Sequence, residues 1–251
     1  MKPIITLLTD FGTVDGYVGE MKGVLLAGAP DATLVDITHD IPPQDVERAR
    51  LTLARVWRRF PPATIHVVVV DPGVGSSRAA IAVESDGRWL VGPDNGVLSA
   101  ALLLPTARAV VLPVPSKASA TFHGRDVFAP AAAALARGEP LDALGESAAS
   151  PVVRRTPEPV RQTDGSLDGE VIYVDRFGNA VTNLFGFRAG VVRTGLRRIP
   201  VRHTYADVAT GEAVAVVGST GFVELAVRDG NAAEALQIVR GSRVTLEPAV
   251  S

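Results

Sequence analysis

The chain of 251 residues contains no cysteine. That excludes disulfides, thiolate metal sites and a cysteine nucleophile. Its histidines, His39, His66, His123 and His203, show no metal-ligand spacing, so neither zinc nor iron is expected. No run approaches the roughly 18 consecutive apolar residues that a membrane span needs. Asp10 arrives too early for a signal-peptide core, so the expected setting is cytoplasmic, with no membrane partner. An excess of one charge is also missing: Lys and Arg number 25 against 27 Asp and Glu, a net charge of −2. With the basic residues scattered, nothing in that balance draws nucleic acid or anionic lipid.

What is present is a strand and helix alternation. Ile4 to Thr9 reads as a buried strand ending at Asp10. Val18, Met21 and Leu25 then recur at helical spacing behind Asp15, which is expected to cap that helix. Ala32 to Thr38 is a second strand. Val46, Ala49, Leu53, Val56 and Phe60 mark a second helix that begins near Pro43 and ends before Pro61-Pro62. Thr64 to Val70 is a third strand. This order predicts a parallel sheet with right-handed crossovers. Strands at 80–84 and 89–91, a short helix at 97–104, a strand at 109–114 and an Ala-rich helix ending near Arg137 complete the pattern. From Ser147 to Asp168 prolines gather and periodicity fades, as in a linker. Beyond it the helical pattern disappears, and seven short segments spaced by Gly and Asp suggest a small antiparallel barrel. The expected fold class is therefore α/β: an N-terminal, mostly parallel sheet flanked by helices over 1–150, a linker over 151–168, and a C-terminal antiparallel β-barrel over 169–251.

The apolar run Val67-Val68-Val69-Val70 stops abruptly at Asp71-Pro72-Gly73, and Arg78 follows a glycine-rich turn. Ligands collect at the carboxyl ends of such buried strands. Asp10, Asp71, Arg78, Asp94, Asn95, His123 and Arg125 all fall at expected strand ends or in loops ahead of helices, His123 just before an N-terminus. Familiar motifs do not fit this set. Asp10-Phe11-Gly12 imitates the kinase triplet without a matching catalytic loop, and Gly73-x-Gly75 lacks both the third glycine of a dinucleotide fingerprint and the Gly-Lys-Ser/Thr of a P-loop. The residues define a small-ligand site and leave its chemistry open.

A series of short motifs narrows it. Thr9-Asp10-Phe11-Gly12, Asp15, Asp71-Pro72-Gly73-Val74-Gly75, Arg78, Gly92-Pro93-Asp94-Asn95-Gly96, Phe122-His123-Gly124-Arg125-Asp126, Asp175-Arg176-Phe177-Gly178-Asn179 and Asn231-Ala232-Ala233 occur in that order. Together they resemble the SAM hydroxide adenosyltransferase family, the S-adenosylmethionine hydrolases related to fluorinase and chlorinase. The resemblance implies hydrolysis of S-adenosylmethionine to adenosine and methionine, without metal or cofactor, in a homotrimer with its sites between subunits. It implies a catalytic set of Asp71, Arg78 and His123. Asp10 would bind the ribose diol, and Tyr205 would stack on adenine. Asn179 and the backbone near Ala232 would read the adenine edge, Asp15, Asp175 and Ser219 would hold the methionine end, and Asn231 would belong to the same substrate-binding set. Glu224 belongs to the hydrolase-like pattern without a role attached. Halogenating relatives carry an aromatic residue in place of Asp71, and tyrosine then serine in place of His123 and Gly124, so water is the expected nucleophile. The alternatives are a halide-using 5′-halo-5′-deoxyadenosine synthase and a non-catalytic adenosine or S-adenosylmethionine binder.

Overall fold

The structure, a computed structural model, describes residues 2–247; positions 248–251 of the expected barrel lie outside them. The chain divides between Arg155 and Thr156 into two compact units.

The first unit runs β1 (Ile4–Thr9), α1 (Tyr17–Gly28), β2 (Thr33–Thr38), α2 (Val46–Val56), β3 (Thr64–Val69), β4 (Ala80–Ser85), β5 (Arg88–Pro93), α3 (Ser99–Leu102), β6 (Arg108–Leu112), α4 (Ala129–Ala136) and β7 (Glu146–Ser147). Its sheet has the order β2-β1-β3-β5-β4-β6-β7. The β2-β1-β3-β5 half is parallel. The β5-β4-β6-β7 half is antiparallel. The change of direction has a local cause: Asp86 and Gly87 both adopt left-handed backbone (φ 50° and 68°) between the paired residues Ser85 and Arg88. Two such residues make the tight turn whose twist matches an antiparallel hairpin.

β3 is buried along its whole length. Val67 and Val69 pack with Met21, Leu25, Phe128 and Ala132 on one face. Val68 and Val70 pack with Val46, Ala49, Leu53 and Trp57 on the other. A strand covered by helices on both faces has no polar side to show, which is why its sequence reads as a continuous apolar run. Asp15 does not cap α1. Gly16 does, in left-handed conformation (φ 72°) and without a side-chain bond, so the chain enters the helix one residue later than Asp15 requires. Asp45 caps α2 by accepting from the Arg48 amide at 2.9 Å, which starts that helix at Val46 rather than near Pro43.

The second unit runs β8 (Val160–Arg161), β9 (Leu167–Val174), β10 (Ala180–Phe185), β11 (Val191–Thr194), β12 (Arg197–Arg202), β13 (Ala213–Val217), β14 (Phe222–Val227), α5 (Ala232–Leu236) and β15 (Arg243–Glu247). Its order is β10-β14-β13-β12-β11-β15-β9-β8, and β10 pairs again with β9, closing a barrel. Two details depart from the sequence reading. β12 and β13 pair in parallel, because the chain between them makes a helical turn instead of a hairpin. Asn231 caps the short α5 where no helix was expected. The stretch read as linker carries β8 and the first residues of β9, which pair with each other. No helix among the described residues is long and apolar enough to cross a membrane.

Candidate active site

Asp10 directly follows β1, and Asp71 lies just beyond β3, the neighbouring strand in which Val69 pairs with Thr9. Both carboxylates thus come to the carboxyl edge of the parallel half-sheet. Arg78 returns to that edge through a compact turn in which the Val74 amide donates to the Asp71 carbonyl and the Ser76 amide to the Gly73 carbonyl. Gly75 takes a left-handed φ of 73°, and a Cβ there would lie 2.4 Å from the Ala120 carbonyl oxygen. Only glycine lets this turn approach the segment leading to His123.

Arg78 is the hub of the cluster. Its Nε donates to Asp71 Oδ1 at 2.9 Å, and its Nη2 donates to Asp71 Oδ2 and, at 2.9 Å, to His123 Nδ1. The Arg78 and Asp71 side chains are only 10% and 5% exposed, and the guanidinium lies 5.4 Å from the Phe128 ring centroid. Nη1 is buried with no hydrogen-bond partner. His123 is not in a loop: it has helical backbone and opens a wide turn, Gly124–Phe128, that runs into α4. Such widened turns reposition a side chain relative to a regular helix. Because a guanidinium offers only donors, Nδ1 of His123 must accept, and the neutral ring carries its proton on Nε2. Burial, then the Arg78 charge, pushes the His123 pKa below the ordinary 6.5, against the opposing pull of Asp71 and Asp126.

Asp10 Oδ2 accepts from the Gln44 amide at 2.7 Å, where Gln44 has a left-handed φ of 67°. Burial raises the Asp10 pKa and the Asp71 charge adds to the rise, while two backbone hydrogen bonds oppose it. The remaining strand-end residues have other partners. Asn95 Nδ2 donates to the Val70 carbonyl, and Asp94 Oδ1 accepts from the Val152 amide, tying loops to strand ends. Arg125 pairs with Asp126 and Glu20 and packs over Phe122. Asp15 is exposed ahead of α1.

In the second unit, Asp175 Oδ1 accepts from the Phe177 and Asn179 amides and Oδ2 from Asn179 Nδ2, which shapes the β9–β10 turn. The Asn231 side chain is occupied at the α5 N-terminus with the Glu234 amide and carboxylate. Ala232 is buried, and the Ala233 amide donates to the Gly178 carbonyl, joining α5 to the Asn179 turn. Tyr205 is 42% exposed and close enough to Asp175 and Glu224 for both charges to raise its phenol pKa, after burial and the Glu224 hydrogen bond. Ser219 is exposed between β13 and β14.

Several features were not anticipated from the sequence. The Gln44 amide holds Asp10. Phe11, Tyr17 and Phe122 meet edge to face at 5.4–5.8 Å beside Asp10 and His123. Phe177 is 76% exposed within the Asp175–Asn179 turn. An aromatic residue inside a polar turn was the available signal for the last.

Residues 5–145 match the SAM hydroxide adenosyltransferase N-terminal domain and residues 169–245 its C-terminal domain. The chain is 44% identical to the (R)-S-adenosyl-L-methionine hydrolase of Thermus thermophilus, with 98% of this chain and 100% of that protein covered. It is 43% identical to the protein of the same name from Salinispora tropica, covering 96% and 97%. The fluorinase of Nocardia brasiliensis is more distant, at 29% identity over 90% of each chain. Among solved structures, an uncharacterized conserved protein from Thermotoga maritima superposes with a TM-score of 0.88 at 37% identity, covering 96% and 99%. The chain belongs to the SAM hydroxide adenosyltransferase family.

Proposed function

We infer that the protein hydrolyses S-adenosyl-L-methionine to adenosine and L-methionine, with the (R) sulfonium preference that its relatives' name specifies. The observation that carries this reading is the Arg78 hub, which binds Asp71 and His123 and keeps one buried donor in hand. In the reaction the water oxygen bonds to the ribose 5′ carbon as the carbon–sulfur bond breaks. The electron pair goes to sulfur, which leaves as a neutral thioether, so no acid is needed to assist it. The obstacle is the nucleophile, since bulk water has a pKa of about 15.7. Attack by an incipient hydroxide on a sulfonium cancels charge, and a buried, preorganised site favours it.

In this reading Asp71 accepts the water proton. His123 is occupied at Nδ1 and protonated at Nε2, so it orients the water as a donor instead of acting as base. Arg78 fixes both partners and supplies Nη1 to the developing negative charge. Asp10 accepts from the ribose diol. Tyr205 stacks on adenine, Asn179 and the Ala232 backbone read its edge, and Asp15, Asp175 and Ser219 hold the methionine end. No cofactor takes part. The homotrimer with sites between subunits, and the cytoplasmic setting, belong to the same proposal. A halide is a poor nucleophile here because the Asp71 carboxylate would repel it.

Incubation with S-adenosylmethionine in heavy-oxygen water, in the presence of chloride, tests the reading. Adenosine carrying one solvent oxygen is expected, with no halogenated nucleoside. Asp71→Asn and His123→Ala should each lower kcat about a hundredfold or more while leaving substrate affinity nearly unchanged. Parental turnover in both variants would remove these residues from catalysis.

A further inference from the structure

Glu224 stands in the middle of β14, paired with Val181 of β10 and Val216 of β13, so its backbone is fixed by the barrel wall on both sides. Its carboxylate accepts the hydroxyl hydrogen bond of Tyr205. Room for that carboxylate is left by Gly218, where a Cβ would lie 2.6 Å from Glu224 Oε2. At the other end of the tyrosine the backbone is equally well held. Thr204 and Asp207 cap the turn Tyr205–Asp207 reciprocally. Arg228 Nη1 donates to the carbonyls of Ala206 and Val208. The residue between these two anchors is 42% exposed.

We propose that Glu224 is a positioning residue of the nucleoside site, holding the Tyr205 ring by its hydroxyl in the orientation on which adenine stacks. The proposal rests on the reading of Tyr205 given above. The gain is preorganisation: a ring already fixed in its bound orientation loses less rotamer freedom when the ligand arrives. Glu224 therefore acts on adenosine affinity through Tyr205, without touching the ligand and without entering the chemical step.

Calorimetry with adenosine on the full-length protein, beside steady-state kinetics with S-adenosylmethionine, tests this. Tyr205→Phe and Glu224→Ala should each weaken adenosine binding about three- to tenfold. The double variant should be no weaker than either single one, because both remove the same hydrogen bond. Glu224→Gln, whose amide oxygen still accepts, should recover most of the affinity, and the losses in Tyr205→Phe and Glu224→Ala should fall on KM more than on kcat. Additive losses in the double variant would overturn the proposal. So would a Glu224→Ala variant that binds adenosine normally but S-adenosylmethionine poorly, which would mean direct contact with the methionine end. Tyr205→Phe removes only a hydroxyl from an exposed ring and decides the matter alone if Glu224→Ala fails to fold: unchanged affinity refutes the proposal. Tyr205→Ala separates the role of Tyr205 from that of Glu224. If it binds adenosine normally, the assignment of Tyr205 to adenine fails; if it loses affinity while Glu224→Ala does not, only the role of Glu224 fails.

Discussion

A guanidinium that donates at once to a carboxylate and an imidazole ties their protonation states together. In the Asp71–Arg78–His123 cluster, protonating His123 would place the ring's second hydrogen on Nδ1, directly against Arg78 Nη2. The neutral ring is therefore favoured, and its pKa lies below 6.5 through burial and the Arg78 charge. A group with a depressed pKa keeps its working form further into acid. The acid limb of kcat should accordingly have its midpoint below pH 6.5, and a pH–rate profile with a midpoint at or above that value would contradict the hydrogen-bond assignment. His66 illustrates the same physics away from the site. It is fully buried on β3, bonded through Nδ1 to Thr6 Oγ1 at 2.8 Å, with Nε2 unpartnered and the Trp57 and Phe60 rings around it. Burial, then the Arg88 charge, lowers its pKa to about 4. Between pH 6.5 and about 4 the unfolded chain binds a proton that the folded chain does not, so stability falls as pH falls through this window. Urea unfolding should show this residue removing about 2 kcal/mol between pH 7 and 5. The slope should flatten in His66→Asn, and an equal slope in both proteins would assign the acid sensitivity elsewhere.

At the level of elements, the Asp71–Arg78–His123 cluster depends on two turns meeting. The Gly73–Ser76 turn reaches the segment before His123 at Gly75, where a Cβ would stand 2.4 Å from the Ala120 carbonyl oxygen in a left-handed backbone conformation. Gly75→Ala must push the turns apart and carry Arg78 away from His123. It should lower kcat about a hundredfold, as small misplacements of reacting groups do, while adenosine affinity, for which Asp10 just beyond β1 is the proposed contact, stays within about twofold. Equal losses in kcat and adenosine affinity would show that the turn supports the whole pocket instead. These turns also explain what could be read in advance. The strand ends carrying Asp10 and Asp71 were legible because an apolar run buried on both faces stops at a carboxylate. His123 was placed in a loop because nothing in Phe122-His123-Gly124 signals a widened helical turn. Asp86-Gly87 signals the β4–β5 hairpin, but a turn fixes the direction of its own two strands and not that of the antiparallel β6 and β7 beyond them. The α5 helix escaped because five residues carry no periodicity; its Asn231 cap was the only sign.

For the whole molecule, the candidate residues are partitioned: Asp10, Asp71, Arg78 and His123 belong to the first unit, and Asp175, Asn179, Tyr205 and Asn231 to the second. A homotrimer whose sites join the first unit of one subunit to the second unit of the next makes a distinctive genetic prediction. Asp71→Asn spoils a site only through its first-unit contribution, and Tyr205→Ala only through its second. Each homotrimer is then defective at every site. In trimers assembled from both variants, a Tyr205→Ala subunit still offers an intact first unit, and a neighbouring Asp71→Asn subunit an intact second unit. Random mixing of equal amounts makes a site sound on both sides with a probability of one half times one half, so co-expression should restore about a quarter of parental activity. The assay is best run below the KM, where Tyr205→Ala alone is weakest. Were each site built within one chain, every site in the mixture would carry one defect or the other, and activity would not exceed the average of the two variants. Light scattering on the same preparation separates the remaining case: a monomer gives no recovery for want of any assembly, whereas a trimer without recovery places each site inside a single chain.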